Sequence, residues 1–312
     1  IMKIAHVYAS NAKHNSGDFM LGIATKRYFK HKILKTECTF TDIDCRVPLN
    51  FSKNNIINVL NNFDYILVGG GGLILPDTNP NKISCWQWQI PVDNYDLIKV
   101  PIYVISIGLN LFYNQTMNMP NRENNSSDPT RLPIFKKNIE KLIEKSEHFS
   151  IRHGGDMRNL KEIVDERFHS KIQFEFCPTI WYSKTFWKDR LVSNEKWLAI
   201  EIKDDRKNRR YYNISEKKFY DELIKFIKHS NRKICYLSHD GSKSFYNYAL
   251  TQGVTLPLLD NSVANENKIY ENFSKIDTLL CTAGHSQMIA HALGINIISL
   301  VTHPKYYISA KI

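Results

Sequence analysis

Apolar stretches of strand length alternate with amphipathic stretches of helical spacing along nearly the whole chain, and this restricts the fold more than any other feature. It is the pattern of parallel sheets covered by helices on both faces. Strands are expected at 3–8, 65–68, 102–106, 148–151, 172–176, 197–202, 233–237, 278–281 and 296–301. Helices are expected at 18–29, 53–61, 133–146, 156–167, 216–228, 243–252 and 287–293. Composition changes across 181–195, just before a new strand–helix series begins at Trp197. The expected organisation is therefore two Rossmann-like, doubly wound α/β domains, 1–188 and 189–312, facing each other so that their sheet ends meet a ligand in a cleft. Residues 114–131, rich in Asn, Pro and Ser, read as a long mobile loop near a site rather than part of the core.

Composition narrows the class further. With 43% hydrophobic and 23% charged residues, 312 residues can bury two ordinary cores, and disorder is not expected. No run of 18 apolar residues suggests a membrane span. The N-terminus, Ile1-Met-Lys-Ile-Ala-His-Val-Tyr8, reads as a first strand rather than a leader, with Ile1 an addition ahead of Met2, and cytoplasmic work is expected. The six cysteines are scattered without a C-x-x-C pair, which suits reduced structural thiols and no metal. A formal charge of +11 suits an anionic partner or simply a lysine-rich surface, and no nucleic-acid motif accompanies it. H-E-x-x-H, G-K-[ST], G-x-S-x-G and kinase signatures are missing, which removes zinc proteolysis, P-loop hydrolysis and serine hydrolysis.

Small and ionisable residues gather where strands are expected to end. In Cys281-Thr-Ala-Gly-His-Ser-Gln-Met-Ile-Ala-His-Ala-Leu-Gly294, an apolar strand runs into a turn and a helix. Gly284 and Ser286 let backbone N–H groups approach an anion there, and His285 is placed for proton exchange. Leu67-Val-Gly-Gly-Gly-Gly-Leu-Ile74 leaves a strand into four glycines, where backbone must pass close to something or adopt φ > 0: either Gly70, Gly71 and Gly72 approach a ligand, or the run is a tight turn without one. In Asn15-Ser-Gly-Asp18, Gly17 opens a helix and Asp18 either caps it or serves as a base. Ser106-Ile-Gly-Leu-Asn110 brings Asn110 to the same edge, and Ser150-Ile-Arg152 offers a guanidinium fork to a carboxylate or phosphate. His239, before Asp240-Gly241, follows a strand of the second half and is either structural or a substrate-binding residue on the expected cleft edge. The basic loop at 204–212 reads as a solvated turn.

In this order Asn15-x-Gly-Asp18, Val-Gly-Gly-Gly-Gly-Leu-Ile74, Ser-Ile-Gly108, Ser-Ile-Arg152, Cys-Pro-Thr179 and His285-x5-His-Ala-Leu-Gly294 resemble the polysaccharide pyruvyl transferase family. The resemblance implies a glycosyltransferase-B-like pair of domains, with the acceptor on the N-terminal side and the donor on the C-terminal side. It implies transfer of a pyruvyl group from phosphoenolpyruvate to two hydroxyls of a surface-polysaccharide sugar, with no resident cofactor. By position, Arg152 would hold the donor's carboxylate or phosphate and His285 would transfer the proton; the base that such chemistry needs could be Asp18. The family's Arg-Leu-His run reads Ala283-Gly284-His285 here. The same stretch is similar to the donor turn of glycosyltransferase-B enzymes, which would make a nucleotide sugar the donor. A third reading is a non-catalytic glycan- or nucleotide-binding relative. The acceptor is expected to be a saccharide, and a lipid-pyrophosphate-linked one would bring the protein to the inner face of a membrane.

Overall fold

A computed structural model describes residues 1–11, 14–211 and 214–302. The chain forms two compact units. The first gathers Ile1–Asn11 and Leu21–Pro178, and the second takes the stretch ending at Met20 together with the chain from Thr179. The division thus falls between Pro178 and Thr179, where the sequence suggested 188/189.

The first unit is built on a six-stranded sheet of β1 (Met2–Tyr8), β2 (Cys38–Asp44), β3 (Tyr65–Ile74), β4 (Ile102–Leu109), β5 (Ser146–Ile151) and β6 (Ile172–Phe174). Their order is β2-β1-β3-β4-β5-β6, all parallel. The intervening helices are α1 (Ser16–Tyr28), α2 (Lys53–Asn58), α3 (Arg131–Lys145) and α4 (Gly154–Ile163); α5 (Pro178–Phe186) starts at the division. Central strands β3 and β4 are buried along almost their whole length, as a sheet covered on both faces requires. Edge strand β2, Cys-Thr-Phe-Thr-Asp-Ile-Asp, carries too little apolar surface to be seen in the sequence.

The second unit holds β7 (Trp197–Glu201), β8 (Ile234–Ser238), β9 (Leu258–Asp260), β10 (Ile276–Cys281) and β11 (Asn296–Ser299) in the order β11-β10-β7-β8-β9, again parallel. Its helices are α6 (Lys207–Arg210), α7 (Glu216–His229), α8 (Ser244–Thr251), α9 (Glu266–Ser274) and α10 (Gly284–Leu293). Helix α7 is capped by Ser215, whose hydroxyl accepts from the Lys218 N–H, and it buries Tyr220, Leu223 and Ile224. No helix among the described residues is long and apolar enough to cross a membrane.

Two expectations change. The glycine run is not a turn, because β3 continues through it to Ile74. Gly69 (φ +115°) lies so close to β4 that an added Cβ would stand 2.4 Å from the Ile105 carbonyl oxygen, so close strand packing demands this glycine. The Asn/Pro/Ser-rich segment carries no helix or strand from 110 to 130, yet it is not outside the core: Met117 is buried in the main hydrophobic cluster, and Phe112 and Gln115 are buried too.

Buried Arg131 explains how so long a segment is held. Its guanidinium donates to the carbonyl oxygens of Met117 (3.3 Å), Asn81 (2.9 Å), Pro76 (3.2 Å) and Cys85 (3.3 Å). Arg131→Met would leave these acceptors without that donor, so a loss of roughly 3–5 kcal/mol in unfolding free energy is expected in urea titrations. A loss under 1 kcal/mol would show that the clamp is dispensable.

Candidate functional site

In the second unit the candidate residues converge on the first turn of α10. β10 delivers the chain at Cys281, Ala283 is the N-cap, and no side chain caps the helix. The first N–H groups of such a helix have no intrahelical partner and carry the positive end of its dipole. His285 sits in this turn, half-buried, between Gly284 and buried Ser286. Its ring lies directly on the Gly17 backbone: a Cβ at Gly17 would stand 2.0 Å from His285 Nδ1. Gly17 is therefore glycine to admit the His285 ring.

Buried His239, which follows β8, ties these pieces together. Its Nδ1 is 2.9 Å from Ser16 Oγ and 3.1 Å from Ser286 Oγ, and its ring lies 26° from the plane of His285 with centroids 6.1 Å apart. Both the N–H and the hydroxyl of Ser16 donate to the His239 carbonyl oxygen, at 3.3 and 2.8 Å. Behind them, at the end of β7, Glu201 is buried with Oε1 3.6 Å from His239 Nδ1. Burial pushes the Glu201 carboxyl up to about 8, against the smaller opposing pull of the Ser286 hydroxyl.

Asp18 stands in the same first turn of α1, half-buried, but the capping expected of it falls to Asn15. The Asn15 Oδ1 accepts from the N–H groups of Gly17 (3.0 Å) and Asp18 (3.3 Å).

In the first unit Arg152, Asn110 and Gly72 come together at the carboxyl ends of β3, β4 and β5, the edge where open α/β sheets hold ligands. Arg152 is buried, and its Nη2 donates to Asn110 Oδ1 at 3.1 Å. A Cβ on Gly108 would lie 2.6 Å from Arg152 Nε, and one on Gly72 would lie 1.8 Å from Asn110 Nδ2. The two glycines thus form a floor beneath the Arg152–Asn110 pair. Gly70 has a different part: its N–H donates to Thr25 Oγ1 at 3.1 Å, against α1. Gly71 (φ +106°) supplies a backbone shape that other residues rarely adopt.

Sequence reasoning missed Glu201 and Ser16. A carboxylate closing the apolar strand Trp-Leu-Ala-Ile-Glu201 was the available signal. The loop at 204–212, read as solvated, instead buries Arg209 and Arg210, with Arg210 Nη2 on Asp205 at 2.9 Å. Asp205 is held below the usual carboxylate range by Arg210, Lys203 and Arg206, which outweigh its burial.

The family model of polysaccharide pyruvyl transferases matches residues 15–304, nearly the whole chain and every site residue above. The chain belongs to the polysaccharide pyruvyl transferase family. It is accordingly a transferase. No curated protein matches it in sequence. Among solved structures, it is similar to S. aureus MnaA with UDP (12% identity, TM-score 0.57, covering 100% of this chain and 82% of that one). It is also similar to UDP-GlcNAc 2-epimerase from Neisseria meningitidis bound to UDP-GlcNAc (14%, 0.51, 99% and 85%). A third is the Methanocaldococcus jannaschii UDP-GlcNAc 2-epimerase in complex with UDP-GlcNAc and UDP (11%, 0.54, 100% and 87%). At such identity the likeness concerns the fold, which is glycosyltransferase-B-like with two Rossmann-like units.

Two buried groups give pH dependences of opposite sign. His6, whose Nε2–H donates to the Gly69 carbonyl, is lowered from 6.5 to about 4, chiefly by burial. Between these values the unfolded chain binds the extra proton, so stability falls as pH drops, by about 3 kcal/mol in all. Glu201 is raised, so its folded form keeps a proton that the unfolded chain has lost, and its contribution fades as pH climbs from 4.5 through about 8. Melting temperature should decline from pH 6.5 to 8, and Glu201→Gln should flatten that decline. An unchanged slope in the variant would contradict the assignment.

Proposed function

We propose that this member of the family transfers the pyruvyl group of phosphoenolpyruvate to two hydroxyls of a saccharide, leaving a cyclic ketal and inorganic phosphate. The observation that carries this reading is the half-buried His285, fixed against Gly17 in the first turn of an uncapped helix with Asp18 in the neighbouring turn. Protonated His285 gives its proton to the enol methylene carbon, and a sugar oxygen bonds to the adjacent carbon while its own proton passes to the Asp18 carboxylate. A second sugar hydroxyl then attacks the same carbon and gives its proton to the now neutral His285, the carbon–oxygen bond to phosphate breaks, and phosphate leaves with the electron pair and takes up the proton held by Asp18. The N–H groups of α10 suit the phosphate's charge, and Arg152 is the anion-binding group of the first unit. The acceptor in this reading is a polysaccharide precursor, free or lipid-linked, and an anionic membrane surface fits the net charge of +11.

A specific observation favours a second reading, a nucleotide-sugar donor. Where the family's arginine is expected stands buried Ala283, and nearby Lys203, whose backbone N–H donates to Thr282 Oγ1 at 2.8 Å, has its ammonium ion-paired with Asp240. The small residues Ala283 and Gly284 suit a diphosphate at the helix end. The deciding experiment is release of phosphate from phosphoenolpyruvate in the presence of a saccharide panel, with His285→Asn as control. Acceptor-dependent release abolished in the variant supports pyruvyl transfer. Release of nucleotide from a nucleotide sugar, with phosphoenolpyruvate inert, replaces it by the second reading.

A further inference from the structure

His239 is buried and so poorly placed to meet a substrate, yet it touches both sides of the contact that fixes His285. Its Nδ1 holds Ser286, the chain neighbour of His285, and Ser16, the chain neighbour of Gly17. Gly17 is the residue on which the His285 ring rests. One imidazole therefore grips the first turn of α10 and the first turn of α1 within a single unit.

The hydrogens can be placed by counting donors. Ser16 has one hydroxyl hydrogen and two partners, the His239 carbonyl oxygen at 2.8 Å and His239 Nδ1 at 2.9 Å. A carbonyl only accepts, and with the hydroxyl hydrogen directed to it Nδ1 carries the second hydrogen and donates to Ser16 Oγ, the arrangement in which both short contacts are hydrogen bonds. Ser286 Oγ, 3.1 Å from Nδ1, is a second acceptor for the same N–H. Charged and titratable groups around the ring include, among the described residues, Glu201 at the end of β7, Lys203 beyond it, Asp240 on its own turn and His285 from α10. Lys203 and Asp240 pair with each other. Glu201, 3.6 Å from Nδ1, is too distant to accept its hydrogen.

We propose that Ser16 and Ser286 hold His239 as a neutral imidazole with its hydrogen on Nδ1, and that His239 in this form is the positioning residue that fixes His285 for proton transfer. The second clause rests on the functional reading above; the first does not. A charged ring here would put two imidazolium groups 6.1 Å apart whenever His285 carried its proton, which the neutral form avoids.

The test combines nitrogen-15 histidine spectra of the full chain with steady-state kinetics. At neutral pH the His239 nitrogens should show the neutral Nδ1–H pattern. Ser16→Ala and Ser286→Ala should each shift the His285 ring resonances and lower kcat about 10-fold or more with little change in the donor KM, while Glu201→Gln, which keeps a neutral group of the same shape, should stay within about threefold of wild type. His239→Gln serves as the stronger variant where it folds, and the serine variants decide the matter where it does not. An imidazolium or an Nε2–H pattern overturns the proposal, as do serine variants that leave the His285 resonances unmoved. If the wild-type chain shows the Nδ1–H pattern and coupled His285 shifts but never turns over phosphoenolpyruvate, the functional reading fails and the placement of His285 by His239 stands.

Discussion

Gly17→Ala is expected to reduce kcat by about 100-fold or more while the protein melts within a few degrees of wild type. The new methyl carbon would fall 2.0 Å from His285 Nδ1 and 2.5 Å from its Cγ, so the imidazole has to leave its place. Displacing a proton-transfer group by about 1 Å is enough to cost on the order of 100-fold in rate. Stability is governed by different terms. Gly17 has an ordinary helical backbone at the start of α1, and alanine is favoured over glycine in a helix by up to about 1 kcal/mol, which offsets part of the local repacking. A variant of normal melting temperature and lost turnover is the expected outcome, checked by calorimetry beside the phosphate-release assay. Retained turnover would show that His285 works from another position or not at all.

Gly108→Ala should remove anion affinity from the first unit with comparable force. Its Cβ would stand 2.6 Å from Arg152 Nε and 2.8 Å from Asn110 Oδ1, forcing apart the pair that is joined at 3.1 Å. A planar guanidinium binds a carboxylate or phosphate through a fixed fork, so a tilt breaks two hydrogen bonds at once. The Kd for phosphoenolpyruvate, read by calorimetric titration, is expected to rise between 10- and 100-fold, on the order of 1.4–2.8 kcal/mol. Arg152→Lys should behave similarly, because an ammonium keeps the charge and loses the fork. Unchanged affinity in both variants would remove Arg152 from the ligand site.

Much of the architecture was legible because parallel strands buried on both faces announce themselves as apolar runs. Strands β1, β3 to β8, β10 and β11 all stood out. Strand β2 did not, since its exposed edge permits Thr and Asp, and β9 is three residues long. The glycine run was recognisable as a close approach, but its neighbour is the Ile105 carbonyl of β4, a long-range contact that no local pattern encodes. Arg131 was likewise invisible: it serves carbonyl groups from four separate positions, and only the folded chain brings them together. The candidate residues that the fold brings together at the strand ends were named from small-residue turns and the order of motifs. Ser16 and Glu201 escaped because what marks them is their place against His239, a long-range neighbour that leaves little trace in local sequence context.

Whether phosphoenolpyruvate is the donor is decided by thermal-shift titration of the wild-type chain with phosphoenolpyruvate, set beside UDP-GlcNAc and UDP, because a ligand bound by the native state alone raises the midpoint with its concentration. A saturable rise with phosphoenolpyruvate that Arg152→Ala removes is the predicted result; a rise with UDP or its sugar and none with phosphoenolpyruvate would contradict it.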